Sequence, residues 1–161
     1  MSAYITLMTP MTDEECLVAA IMDQGVAIAS IERSASPVQL RGWQSGRQAN
    51  IVLRKEQTGD AYNDIGFLRT PTGYTAILSN DYARFGPEWL SRVHSRYQYH
   101  EAAKLERAAA EERRRLEEER QKLVEAQRVA VQEKAKKLGY QVKESREGDT
   151  IRLVLVKRIY G

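Results

Sequence analysis

GPEWLSRVHSRYQYHEAAKLERAAAEERRRLEEERQKLVEAQRVAVQEKAKKLGY, residues 86–140, is the stretch whose reading decides the fold. Pro87 suits the first position of a helix and Glu88 the positive end of its dipole. Trp89, Val93 and Tyr97 recur in steps of four, so the helix starts with one face turned to a core. After Tyr99 the composition changes. Residues 101–137 hold nine Glu and eleven Lys or Arg, with no glycine or proline. The residue types remain strong helix formers, but the apolar stripe thins out. Glu111 with Arg115, Glu118 with Lys122 and Glu133 with Lys137 stand four apart in the favourable order, each pair worth ~0.2–0.5 kcal/mol. Lys136 and Lys137 fill the last turn, and Gly139 stands where a left-handed cap belongs. The pattern predicts one long, charged, mostly solvent-exposed helix from about residue 99 to 138, roughly 60 Å for forty residues. No break is marked in its middle.

Outward from this segment the pattern turns to strands. Residues 3–8 read as a strand that Thr9-Pro10 ends, because proline lacks the ladder N–H. Thr12 and Glu15 form a capping box for a helix over 13–24, closed by Gly25. Residues 26–31 read as a strand. Ser34, Ser36 and Pro37 then read as a polar loop before 38–40, with a further strand over 49–54 and a turn over 56–60. Residues 65–68 and 74–78 flank Thr70-Pro71-Thr72-Gly73 as a hairpin. Downstream, 140–143 and 150–156 predict a closing hairpin over the turn 144–149. There Ile151, Leu153 and Leu155 alternate with Val154 and Val156, implying a strand buried on both faces, central in a sheet or covered by a partner. The expected class is α+β: a mainly antiparallel sheet with a short N-terminal helix and one long charged helix followed by a C-terminal two-strand hairpin. The whole chain, 1–161, is expected to form a single domain, with 101–137 protruding from it or lying along it.

A hydrophobic share of 42 % against 29 % charged residues fits a soluble globular chain, and no window approaches the ~20 apolar residues of a membrane span. The opening MSAYITLMTPMTDEE lacks the basic, apolar and small-residue succession of a secretion signal, so a cytoplasmic location is expected. Cys16 is the single cysteine, which excludes an internal disulfide and a multi-thiolate metal site within one chain. Its apolar neighbours Leu17, Val18 and Ala19 predict a buried, inert thiol. The net charge of +3 sets 25 Lys and Arg against 22 Asp and Glu, a balance that does not by itself imply nucleic acid.

Short matches stand in order along the chain: Met1-Ser2 with Thr6-Leu7, Thr12-Asp13, Cys16-Leu17-Val18, and Arg41-Gly42-Trp43 followed by Gly46. They continue with Asp64-Ile65-Gly66-Phe67, Arg96-Tyr97 with Tyr99-His100, and Gly139-Tyr140 with Ile151-Arg152-Leu153-Val154. In these the chain resembles a family of uncharacterised proteins of cyanobacteria, plastids and many other bacteria, known as hypothetical chloroplast reading frame thirty-five. The resemblance spans nearly everything except roughly 106–132. Family members are similar in ending with a helix, a glycine and a two-strand hairpin, but their helix is shorter. The resemblance implies no established activity. Through the family's association with AAA+ ATPases and with small uncharacterised or ferredoxin-like proteins, it implies a place in a complex.

His94 and His100, six apart on a helix, do not share a face and form no i, i+4 metal pair. No metal or cofactor is therefore expected. His100 beside Tyr99 has no nucleophile motif near it, and Asp60, Asp64 and Asp81 suit turns and caps better than acid–base chemistry. No catalytic residue is expected. Arg41-Gly42-Trp43-Gln44-Ser45-Gly46-Arg47 lacks the phosphate-loop Lys-Ser/Thr pair and dinucleotide glycine spacing. It reads as a glycine-flanked turn with a surface tryptophan; if it binds anything, Trp43 is the anchor and Arg41 and Arg47 its rim. Arg92, Arg96, Tyr99 and His100 combine basic and aromatic groups able to contact phosphates and stack bases. On the helix, Leu116, Leu123 with Val124, and Val131 give about one apolar position per heptad, half of what a coiled coil uses. This stripe suits a solvated spacer or a contact arm for a second copy or a partner. The expected function is a non-enzymatic adaptor or assembly subunit, with nucleic-acid binding through Arg92, Arg96, Tyr99 and the Arg41–Arg47 surface as the alternative.

Overall fold

The computed structural model describes residues 3–43, 46–59, 62–80 and 83–157. The chain divides into two compact units, Met1–Glu106 and Arg107–Gly161. Strands β1 (Tyr4–Met8), β2 (Ile31–Gln39), β3 (Gln48–Leu53), β4 (Ile65–Thr70) and β5 (Gly73–Ser79) belong to the first. They form an antiparallel sheet in the order β1-β5-β4-β3-β2. Helices α1 (Glu14–Met22) and α2 (Lys55–Thr58) belong to the same unit, and α3 (Pro87–Lys137) begins there and runs unbroken into the second. Strands β6 (Tyr140–Glu147) and β7 (Thr150–Lys157) pair only with each other among the described residues. The fold is α+β, as the hydrophobic patterning predicts.

The main core joins Leu17 and Ile21 of α1 and Trp89, Val93 and Tyr97 of α3 to Ile51, Leu53, Phe67 and Leu78 of the sheet. Trp89 meets Phe85 edge-on, with ring centroids 5.1 Å apart. A smaller cluster of Tyr4, Leu40, Ala49, Val52 and Ile77 fills the other side. Consequently β3 is the strand buried on both faces: Ala49, Ile51, Val52 and Leu53 are all fully enclosed. The Cys16 thiol is buried too, and desolvation, then Asp13, holds its pKa above the ordinary value.

Local chemistry shifts several expected boundaries. The α1 cap is Asp13 rather than Thr12, because the Asp13 carboxylate accepts the Cys16 N–H at 2.9 Å. The backbone N–H groups of Thr12 and Asp13 both donate to the Tyr97 hydroxyl at 3.0 Å. Residues 28–30 form a short 3₁₀ turn instead of a strand, and β2 continues through Ser34, Ser36 and Pro37, where the register shifts between Arg33 and Val38. That irregularity is where a strand tolerates proline. Asn50 donates to the carbonyls of Ser34 and Ala35 and so supports the detour. The expected turn after β3 contains the single-turn helix α2, closed by Gly59 at φ 81°.

In the second unit, α3 carries charge pairs three apart: Glu112 with Arg115, Glu117 with Arg120 and Glu125 with Arg128. The i, i+4 set predicted Glu111 with Arg115, whereas Arg115 takes Glu112 at 2.6 Å. The hairpin is fixed to the helix by Glu144, which accepts from Arg128 at 3.1 Å and from Gln132 at 2.5 Å. Of the two placements expected for β7, the central one is corrected: among the described residues its sheet has two strands, and within the single chain Val154, Leu155 and Val156 are exposed, which leaves cover by a partner as the other placement.

Candidate functional site

Leu40 ends the β2 segment by donating its N–H to the Arg47 carbonyl at 2.8 Å. The three residues that follow, Arg41-Gly42-Trp43, are then held from below. The Arg41 N–H donates to Asp64 Oδ2 at 2.7 Å, while the Arg41 carbonyl accepts the Asp64 N–H at 2.9 Å and the Tyr4 hydroxyl at 3.1 Å. The Trp43 N–H donates to Asn63 Oδ1 at 2.9 Å, and Asn63 Nδ2 donates to Ser79 Oγ at 3.1 Å. Gly42 is required by space: a Cβ there would fall 2.5 Å from Asn63 Oδ1 and against the Tyr4 hydroxyl.

Asn63 and Asp64 are fully enclosed. A buried carboxylate is tolerated only when its lone pairs are occupied and its charge is met. Besides Arg41, Asp64 receives the Lys55 N–H on Oδ1 and Arg54 Nη1 on Oδ2, each at 2.8 Å. Arg54 also grips Glu32 with two nitrogens, at 3.0 and 2.8 Å, and reaches the Gln39 carbonyl at 3.1 Å. Glu32 first, and Asp64 after desolvation, hold the Arg54 pKa above its ordinary value; Arg54 in turn depresses the pKa of Glu32. The network ties β2, β3, α2 and the start of β4 to one loop.

That loop presents Trp43 with 62 % of its surface exposed. Arg41 and Arg47 are exposed beside it in sequence, with Arg41 Nη2 pairing with Glu56 at 2.8 Å. Tyr62, adjacent in sequence to Asn63, is exposed as well. Gln44 and Ser45, in the middle of the expected turn, lie outside the described residues, as do Asp60 and Asp81. Of the three carboxylates weighed for acid–base work, Asp64 binds backbone N–H groups and a guanidinium, a structural use of its charge.

The Arg92–His100 surface is engaged differently. Arg96 Nε donates to Asp23 Oδ2 at 2.8 Å, His100 Nε2 lies 2.6 Å from the same oxygen, and Arg92 donates to Gln24 at 3.2 Å. The Arg96 guanidinium sits over the Tyr99 ring, 4.3 Å from its centroid. Lys104 continues the seam to Asp13 at 2.6 Å and Glu15 at 3.2 Å. Arg96 first, then His100, keep Asp23 below the usual carboxylate range, and Asp13 pushes Lys104 up to about 12. These groups fasten α3 along α1.

On α3, Leu116, Leu123 and Val131 are exposed and Val124 is half-buried; Val124 and Val131 line a cleft with Ile151 and Leu153 of the hairpin. The later part of the thin apolar stripe therefore faces the chain's own strands. No motif marks Asn63 and Tyr4 as supports of the loop; the one signal in the sequence is a polar Asn-Asp pair directly before the apolar start of β4.

No group of three or more His, Cys, Asp or Glu among the described residues is placed to hold a metal ion. No helix among them is long and apolar enough to cross a membrane. In comparisons with protein-family models, curated proteins and solved structures, nothing matches the chain.

Proposed function

We propose that the chain is a non-enzymatic adaptor or assembly subunit that docks a protein partner through the Trp43 loop. The observation that carries this reading is the mounting of Trp43: an exposed indole on a backbone held by two fully buried side chains, Asn63 and Asp64. Solvating an indole does nothing for the fold, while a tryptophan anchor dominates the energy of many interfaces. An anchor whose own backbone is held before binding loses less entropy on docking. Arg41 and Arg47 supply the polar rim. The exposed Leu116 and Leu123 of α3 fit a spacer or second contact arm.

The competing readings have less support. An enzyme would need a concave site gathering Asp64, His100 or Tyr99, whereas Asp64 pairs with Arg54, His100 with Asp23, and the Tyr99 ring carries the Arg96 guanidinium. Arg92 and Arg96, which nucleic acid would need free, bind Gln24 and Asp23. The family resemblance makes an AAA+ ATPase the first partner to test.

The experiment is affinity capture of the tagged full chain from native lysate, with mass spectrometry, comparing wild type, Trp43→Ala and Trp43→Phe. Loss of a hot-spot anchor of ~2 kcal/mol lowers affinity about thirtyfold. A specific partner should disappear with Trp43→Ala and be partly retained with Trp43→Phe. Equal capture by all three variants would overturn the docking site. A gel shift with RNA or DNA at low salt, lost at high salt, would favour the nucleic-acid alternative.

A further inference from the structure

Among the described residues, the β6–β7 hairpin has two unpaired edges of unlike character. The outward edge of β6 is rich in charge: Lys143, Glu144, Arg146 and Glu147. That of β7 reads Thr150-Ile151-Arg152-Leu153-Val154-Leu155-Val156-Lys157, with no proline and, in its register with β6, no bulge. Natural edge strands normally carry charges, proline or bulges that stop further pairing. Over its central residues β7 has one charge, Arg152, and Val154 and Val156 remain exposed.

The register fixes which atoms face outward. Glu147 pairs with Thr150 across a two-residue turn in which Gly148 has φ 57° and no non-glycine residue has positive φ, the pattern of a type II′ hairpin. Glu147 and Thr150 are then the first hydrogen-bonded pair, and bonding alternates from there. Ile151, Leu153 and Leu155 fall in non-bonded pairs with Arg146, Glu144 and Val142. Their N–H and C=O groups therefore point to the open edge.

We infer that β7 pairs antiparallel with β7 of a second copy, with Leu153 opposite its own symmetry mate, to make a continuous four-stranded sheet. A second copy is the occupant that the sequence itself matches. In this register Ile151 faces Leu155 of the other copy, Thr150 faces Val156, and Arg152 faces Val154. Asp149 falls opposite Lys157 at both ends, so the two terminal charges are complementary twice over. The outward groups of Ile151, Leu153 and Leu155 supply the hydrogen bonds, and the two-fold axis makes the contact self-complementary and closed. A heterologous strand would meet the same backbone but would have no built-in match to Asp149 and Lys157. This surface is independent of the Trp43 loop.

Analytical ultracentrifugation of the full chain tests the inference. Wild type sediments as a dimer that dissociates on dilution. Leu155→Pro removes an N–H that points away from β6, so the hairpin persists by circular dichroism while the dimer is lost. Asp149→Lys weakens dimerisation several-fold, and Asp149→Lys with Lys157→Asp restores it. A wild-type monomer at every concentration reached overturns the proposal, as does a folded Leu155→Pro variant that still dimerises. If Leu155→Pro loses the hairpin, the charge exchange decides: no recovery in the double variant overturns the stated register.

Discussion

Phe67 and Leu123 are both large apolar residues on regular elements, yet Phe67 is fully buried and Leu123 is 61 % exposed. The difference marks the two units. In the first, five strands and two helices enclose a continuous core. In the second, Ala135 is the one buried residue among those described, and order rests on helix propensity, charge pairs three apart and a hairpin held through Glu144. A packed unit gains stability from burial that each side chain shares with many others. A charged helix gains it in small local increments, which fray separately. The first arrangement holds the backbone of Arg41 and Trp43 on buried side chains, and the second supplies an extended surface of modest local stability.

Core truncation should expose this contrast most strongly. Phe67→Ala should cost about 3–5 kcal/mol in chemical denaturation, whereas Leu123→Ala should stay within about 0.5 kcal/mol. A comparable loss at both sites would break the distinction.

Gly42→Ala comes next, since the new methyl meets Tyr4 and Asn63 beneath the loop. It should destabilise the first unit by about 1–3 kcal/mol and blue-shift Trp43 fluorescence only if the indole moves out of water. Ala109→Ser, at an exposed position of α3, meets no such clash and serves as the near-neutral control.

The α1–α3 seam should give a smaller, pH-dependent effect. Asp23 has a depressed folded-state pKa, so its contribution is present above the unfolded carboxylate value near ~3.9 and is lost as pH falls through the folded value. Lys104 has the opposite sign: its contribution is complete below its unfolded value near ~10.4 and fades as pH rises through about 12. Asp23→Asn should therefore cost about 0.5 kcal/mol at neutral pH and flatten the acid limb of a thermal-stability profile. An unchanged acid limb would remove Asp23 from the seam.

The smallest effect on the first unit should come from deleting 108–128, 21 residues or three heptads. Its unfolding midpoint should not move, while an assembly that uses the helix as an arm should fail. Complete assembly after that deletion would leave the helix no such role.

Elements whose pattern was local were legible in the sequence. Pro87 and Gly139 marked the ends of the long helix closely, and Trp89, Val93 and Tyr97 correctly pointed inward. The irregular β2 strand was not legible, because its polar middle is held by Asn50, which is remote in sequence. Within the single chain, the strand enclosed on both faces is β3 and not β7. Alternating apolar residues specify two faces but do not say how many strands surround them. Trp43 reads from the sequence as a surface tryptophan, which it is, but its support is not legible there: Asn63 and Asp64 reach its loop across about twenty residues, through side-chain bonds to backbone that no short motif announces.

Hydrogen–deuterium exchange of the full chain, read by mass spectrometry over peptides spanning both units, tests the contrast most directly. Amides of β3, β4 and β5 should exchange only through global opening of the first unit, while those of 107–123 exchange orders of magnitude faster through local fraying. Equal, high protection across 48–79 and 107–123 would contradict the account, because it would require the charged helix to be buried as firmly as the sheet.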